Sequence, residues 1–213
     1  MAINKKYIPI FEAILCSFAL MLFAFFIHFK LPLQLLAFVA LVLPARLFSR
    51  KLQSLSDLKS IAQIPDSAKI TVLYFVAGIL PGIMFAILYR WHLGTGVFPG
   101  SFHLIVLVAA LIGCTEELVF RGFIQDQVNS LNAPLSILFS SISHTAYKCC
   151  LFLSPMVIPG IDIAYLAFWT LFGGIILGTI KHVTKSILPP MMAHALFDIL
   201  VYAEFVNYPW WVW

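Results

Sequence analysis

Apolar residues run along this chain in blocks of about 20, broken by short polar or Gly-Pro stretches. A helix rises about 1.5 Å per residue, so each block can cross a hydrocarbon layer of about 30 Å. The pattern predicts seven spans: Ile8–Phe29, Leu31–Phe48, Ile70–Arg90, Phe102–Gln125, Pro134–Leu153, Ile161–His182 and Ser186–Phe205. The first follows Lys5 and Lys6, as a signal peptide would, but its apolar run is too long and no small-residue cleavage site closes it. It is read as a retained helix. The one sizeable polar stretch is Ser49–Lys69, where Leu52, Leu55, Leu58 and Ile61 recur every three residues. That stretch is either an amphipathic helix on the lipid headgroups or a solvated linker. Gly94–Gly100 and Pro155–Gly160 read as turns. Trp210, Trp211 and Trp213 read as an interfacial belt. No internal repeat is evident.

Composition supports an all-α, polytopic integral membrane protein and excludes a soluble domain. Of 213 residues, 62% are hydrophobic and 10% charged, against about 45–50% and about 25% in soluble domains. A soluble fold of this size could not bury that much apolar surface. Cys16, Cys114, Cys149 and Cys150 all lie in apolar stretches. They form neither a disulfide framework nor a CxxC metal knuckle, and free cysteine packs as a small hydrophobe.

The formal net charge of +4 is unevenly spread. In a seven-span chain, Lys5, Lys6, Arg46, Arg50, Lys51, Lys59, Lys69, Lys181 and Lys185 fall on one side, while Lys30, Arg90 and Lys148 fall on or toward the other. Nine cations against three put the N-terminus in the cytoplasm and the C-terminus outside.

Ionisable residues inside the spans narrow the function. A charge at the bilayer centre costs about 2.5–3.5 kcal/mol on insertion scales, so it needs protein or water to face. Span 4 nevertheless carries Glu116, Glu117 and Arg121. Glu117 and Arg121 are four apart and can pair along one face. Glu116 points about 100° away, leaving it to face a cavity, where burial and a like charge would tune it as a general base. Span 5 carries Ser140, Ser141, Ser143 and His144, and span 7 places His194 and Asp198 four apart. Glu116, His144 and His194 lie about 13, 15 and 12 Å from the cytoplasmic ends of their spans. Three polar motifs at a common depth point to one site.

A carboxylate and a histidine can deprotonate a water, and a second histidine with a polar neighbour can stabilise an oxyanion. The set suits acyl-bond hydrolysis. GxSxG and HExxH are both missing. Zinc ligands drawn from different helices need no local motif, so a zinc enzyme stays an alternative. A non-catalytic scaffold and a proton-relay transporter are the other classes. The transporter would call for paired broken helices in repeats, which the sequence lacks.

The stretch GCTEELVFRGF, residues 113–123, resembles the EExxxR signature of the CPBP family, the CAAX-protease and bacteriocin-processing intramembrane proteases related to type II CAAX prenyl endopeptidases. His144 and then His194-Ala195-Leu196-Phe197-Asp198 follow in the order of that family's FxxxH and HxxxN/D motifs. Ser140 stands where FxxxH has phenylalanine, and Asp198 where asparagine is the alternative. The resemblance covers about 102–205, a catalytic core in spans 4–7 within a single membrane domain of residues 1–213. Residues 1–90 would supply N-terminal helices and the polar stretch. The resemblance implies a helical core with a cavity open to the cytosol. It implies that Glu116 and His144 activate water, that His194 and Asp198 stabilise the oxyanion, and that Glu117 and Arg121 shape the site without metal or cofactor. It further implies a protein or peptide substrate with a hydrophobic or lipidated segment. The expected partners are that substrate and the lipid bilayer, with no nucleic acid. Small size and short loops suggest a prokaryotic cell membrane.

Overall fold

The computed structural model describes residues 7–62, 65–155 and 162–204. Lys5, Lys6, the Trp210–Trp213 belt, the turn beyond Pro155, and the ends of spans 6 and 7 at Ile161 and Phe205 lie outside the described residues.

Every regular element among the described residues is helical. In chain order these are α1 (Ile8–Phe26), α2 (Gln34–Lys51), α3 (Leu55–Ala62), α4 (Ala68–His92), α5 (Ile105–Glu117), a π-helical segment (Leu118–Ile124), α6 (Gln125–Val128), α7 (Ala133–Leu153), α8 (Ile163–Thr184) and α9 (Leu188–Tyr202). Six of the predicted spans each overlap one helix, and span 4 overlaps three consecutive helical segments. Ser49–Lys69 contains the short helix α3.

Among the described residues, three helices, α1, α4 and α8, are long and apolar enough to cross a membrane. Large apolar side chains such as Phe18, Leu80, Leu111 and Phe168 are exposed on the protein surface, as lipid-facing residues are. The chain is an integral membrane protein. The other predicted spans are shorter or more polar. Helix α2 ends in Arg46, Arg50 and Lys51, α7 is interrupted by serines and His144, and α9 has 15 residues. Span 4 is divided between α5, the π segment and α6.

Local chemistry sets several of the helix starts. Proline opens α1, α7 and α9, where its missing N–H is no loss. Asn132 caps α7 by accepting the Leu135 N–H at 2.8 Å.

The chain forms two compact units interleaved along the sequence. The first comprises Met1–Lys59 and Phe120–Gly178. Here α1 packs on α2 and α7, and α6 packs on α7. The buried stripe of α1 is small (Ala13, Cys16, Ser17, Leu20, Ala24), which lets helices approach closely. Ser17 donates to Ser143 across the α1–α7 contact at 3.0 Å.

The second unit comprises Ser60–Val119 and Thr179–Trp213. Here α9 packs against both α4 and α5. Gly78 and Gly82 of α4 make one contact possible, because a Cβ at either would run into the α9 backbone at Pro189 and Ala193. The Tyr74 hydroxyl donates to the Thr184 carbonyl at 2.6 Å just before α9. Arg90 secures the other end of α9. It is 2% exposed and donates to the carbonyls of Gly96 and Leu200 at 2.6 and 3.0 Å and to Glu204 at 3.0 Å. Glu204 in turn accepts the Gly100 N–H at 2.7 Å. The guanidinium thus satisfies a last-turn carbonyl of α9 and ties it to the loop after α4.

Candidate active site

The two adjacent glutamates close a stripe on α5. Its buried residues are Val106, Ala109, Ala110, Gly113, Glu116 and Glu117, a helical repeat of three and four. Glu116 and Glu117 follow Gly113 by three and four residues, so both sit one turn above it and straddle the line along which α5 meets α9. Gly113 permits this approach. A Cβ there would collide with Asp198 Oδ2 and come within 3.0 Å of the His194 ring.

His194 and Asp198, one turn apart on α9, complete the cluster. His194 Nδ1 lies 2.8 Å from Glu117 Oε1, a hydrogen bond in which the imidazole N–H donates to the carboxylate. Its Nε2 lies 3.7 Å from Glu116 Oε2 and 3.8 Å from Asp198 Oδ2. All four side chains are buried or nearly so, with His194 at 11% exposure and Glu117 at zero. Glu117 orients the ring, and the opposite ring nitrogen faces two carboxyl groups. Gaps of 3.7–3.8 Å exceed a direct hydrogen bond. A water oxygen beside Nε2 would therefore have carboxyls close by, the arrangement a proton acceptor requires.

This geometry adds a partner to the sequence expectation, which divided the glutamates by role and paired Glu117 with Arg121. Here a single imidazole contacts Glu117 and faces Glu116. Residues 100° apart on a helix can both reach a partner that lies between their two directions.

The remaining candidates, His144 and Arg121, lie in the first unit and contact one another. Arg121 Nη1 is 2.9 Å from His144 Nδ1. The Phe120 ring stacks on the imidazole, with centroids 4.5 Å apart and 30° between planes. The Ser140 hydroxyl, one turn before His144 on α7, donates to the Phe120 carbonyl at 2.6 Å. Gly174 of α8 leaves room for this group, since a Cβ there would stand 3.1 Å from Arg121 Nη2 and from Ser141 Oγ. An aromatic ring therefore does lie against His144, but Phe120 supplies it, whereas the α7 position four before the histidine is Ser140. Sequence reasoning treated Ser140 as a routine helix-contact hydroxyl and gave Phe120 no role. The only signal for either was the misfit at FxxxH. Gly113 carried a signal too, a glycine one turn before two membrane glutamates.

Among the described residues, no three His, Cys, Asp or Glu side chains are set as ligands around a metal ion. His194 Nδ1 is already engaged by Glu117.

No curated protein and no solved structure matches the chain. A family model does, over residues 98–200, and its description is "Type II CAAX prenyl endopeptidase Rce1-like". The match includes every candidate residue above. It begins just before α5 and ends within the last turn of α9. Over residues 98–200, just under half of its length, the protein is similar to the Rce1-like type II CAAX prenyl endopeptidases.

Proposed function

We propose that the protein is an intramembrane endopeptidase that uses a glutamate-activated water to cut a membrane-associated protein or peptide. The observation that carries this reading is the buried group of Glu116, Glu117, His194 and Asp198 in a chain with the Rce1-like match. Glu116 takes a proton from water as the water oxygen adds to the scissile carbonyl carbon. His194, oriented by Glu117 and accompanied by Asp198, stabilises the resulting oxyanion. Collapse of the tetrahedral intermediate breaks the C–N bond, and the proton held by Glu116 passes to the leaving amine. His144 joins this set on motif order, as a group that holds the water, with Arg121 supporting it.

Hydrolysis by this route requires no metal or cofactor. The substrate class is a chain with a hydrophobic or lipidated segment, and a prenylated CAAX terminus is the form the family description names. The same reading takes seven spans with a cytoplasmic N-terminus, on the nine-to-three cation bias, in a prokaryotic cell membrane.

The direct test is cleavage of a farnesylated peptide with a CAAX terminus by the purified protein in detergent, followed by mass spectrometry. Release of the last three residues is expected. Glu116→Gln keeps the side chain's shape but removes the base, and is expected to lower the rate by about 10²–10⁴ with an unchanged unfolding profile. Wild-type turnover by a folded Glu116→Gln protein would overturn the glutamate mechanism.

A further inference from the structure

An arginine side chain has hydrogen-bond donors and no acceptor. It cannot lose its proton in a protein. The ring nitrogen of His144 that faces Arg121 at 2.9 Å must therefore be the acceptor and carry no proton. A neutral imidazole with Nδ1 unprotonated carries its proton on Nε2. The bond to Arg121 thereby selects one tautomer, and the buried setting of both residues, at 1% and 4% exposure, shields that bond from competing water.

Arg121 reaches His144 from an unusual piece of backbone. It lies in the π-helical segment Leu118–Ile124, where hydrogen bonds run to i+5 and the following side chains are turned from their α-helical directions. Ser140 is fixed to this segment through the Phe120 carbonyl at 2.6 Å. Phe120 itself stacks on the His144 ring. One α7 turn, from Ser140 to His144, thus holds the π segment by its backbone at one end. At the other end it receives that segment's ring and guanidinium.

The geometry points to His144 as a hydrogen-bond donor in the proposed hydrolysis, locked in the Nε2–H form by Arg121, with Ser140 as the positioning residue that holds the π segment against it. This rests on the endopeptidase reading and refines it. In that form His144 presents an N–H rather than a lone pair at Nε2, so it donates in the reaction and does not take up a proton. Arg121 acts by fixing the tautomer. Ser140 acts at one remove, through Phe120 and Arg121.

The test reads the tautomer directly and needs no substrate. The full-length protein is labelled with 15N-histidine, and the imidazole signals are followed by NMR in detergent micelles across neutral pH. The chain has six histidines, and the His144 signal is assigned by its loss in His144→Gln. The expected result is an unprotonated Nδ1 and a protonated Nε2 at neutral pH. Arg121→Lys, which still only donates, keeps that pattern. Arg121→Gln, whose amide can also accept, shifts it toward a mixture.

In the peptide cleavage assay, Ser140→Ala is expected to lower kcat by about tenfold, within the roughly 10²-fold that an ångström of misplacement can cost, with KM unchanged. Ser140→Thr restores the hydroxyl and is expected to restore most of kcat and the wild-type His144 signal. A His144 signal showing Nδ1–H or an imidazolium at neutral pH would overturn the donor assignment. A Ser140→Ala protein with wild-type kcat and an unmoved His144 signal would overturn the positioning role. Loss of the endopeptidase reading alone would appear as no cleavage by wild type, with the imidazole pattern still as expected.

Discussion

His194 Nδ1 and Glu117 Oε1 lie 2.8 Å apart on α9 and α5, with the glutamate side chain fully buried. A carboxylate that accepts the Nδ1–H of an imidazole fixes both the ring's orientation and which nitrogen is left for chemistry. Here the other nitrogen is turned toward Glu116 and Asp198. Glu117 is thus as close to the reacting groups as the residues first singled out for catalysis.

This relationship separates the acidic residues by mutation. Glu117→Gln retains an oxygen acceptor for the His194 N–H, so it is expected to be milder than Glu117→Leu, which leaves the imidazole donor facing an apolar group. A buried donor without an acceptor costs about 1–3 kcal/mol, and the leucine variant should show that loss in its unfolding midpoint together with a fallen kcat. Asp198→Asn should keep activity near wild type, since the amide supplies an N–H that can donate to an oxyanion. Equal damage from Glu117→Gln and Glu117→Leu would mean that the charge, not the acceptor, is what His194 requires.

Gly113 gives a second prediction, independent of charge. Gly113→Ala would press a methyl group against Asp198 Oδ2 and the His194 ring. Overpacking of this kind typically costs about 1–3 kcal/mol, and the strain falls on the two α9 residues of the proposed site. A lowered thermal midpoint together with a large loss of kcat is expected. Unfolding and turnover of Gly113→Ala, measured side by side, check this.

Arg90 tests the clamp on α9. Its fork serves two carbonyls and one carboxylate from separate directions, which a single ammonium group cannot reproduce. Arg90→Lys is therefore expected to destabilise the protein by about 1.5–3 kcal/mol, the range of hydrogen bonds to a charged group. Proteolysis in the loop 94–100 should rise with it. A lysine variant as stable as wild type would show that the charge alone suffices.

Chelation addresses the chemistry from another direction. With Glu116 as the base, treatment with a strong chelator should leave peptide cleavage within a few-fold of the untreated protein. Loss of cleavage on chelation, with recovery on adding zinc, would instead place a metal in the reaction.

Local rules were enough to locate the helices, because each rests on properties of neighbouring residues. Apolar blocks marked the long helices, and proline and asparagine at Pro134 and Asn132 marked the start of α7. The charged residues Glu116, Glu117 and Arg121 stood out because a charge in an apolar helix is costly wherever the helix lies. Spacing also showed that His194 and Asp198 share a face of α9.

The partners were another matter. Which imidazole Glu117 would meet depends on how α5 and α9 are rotated and registered against each other. Gly113, Gly78 and Gly82 permit that close packing, but a permissive glycine does not choose the partner. The π segment was equally hidden, since Leu118–Ile124 has an ordinary helical composition and its altered register is held by the Ser140 hydroxyl some twenty residues away. Arg90 read as one more cation at a span end. Only folding brings the Gly96 and Leu200 carbonyls together around it. Helical periodicity fixes the direction of a side chain relative to its own axis. The rotation of one axis against the next comes from packing, and every hydrogen bond between helices in the proposed site depends on that rotation.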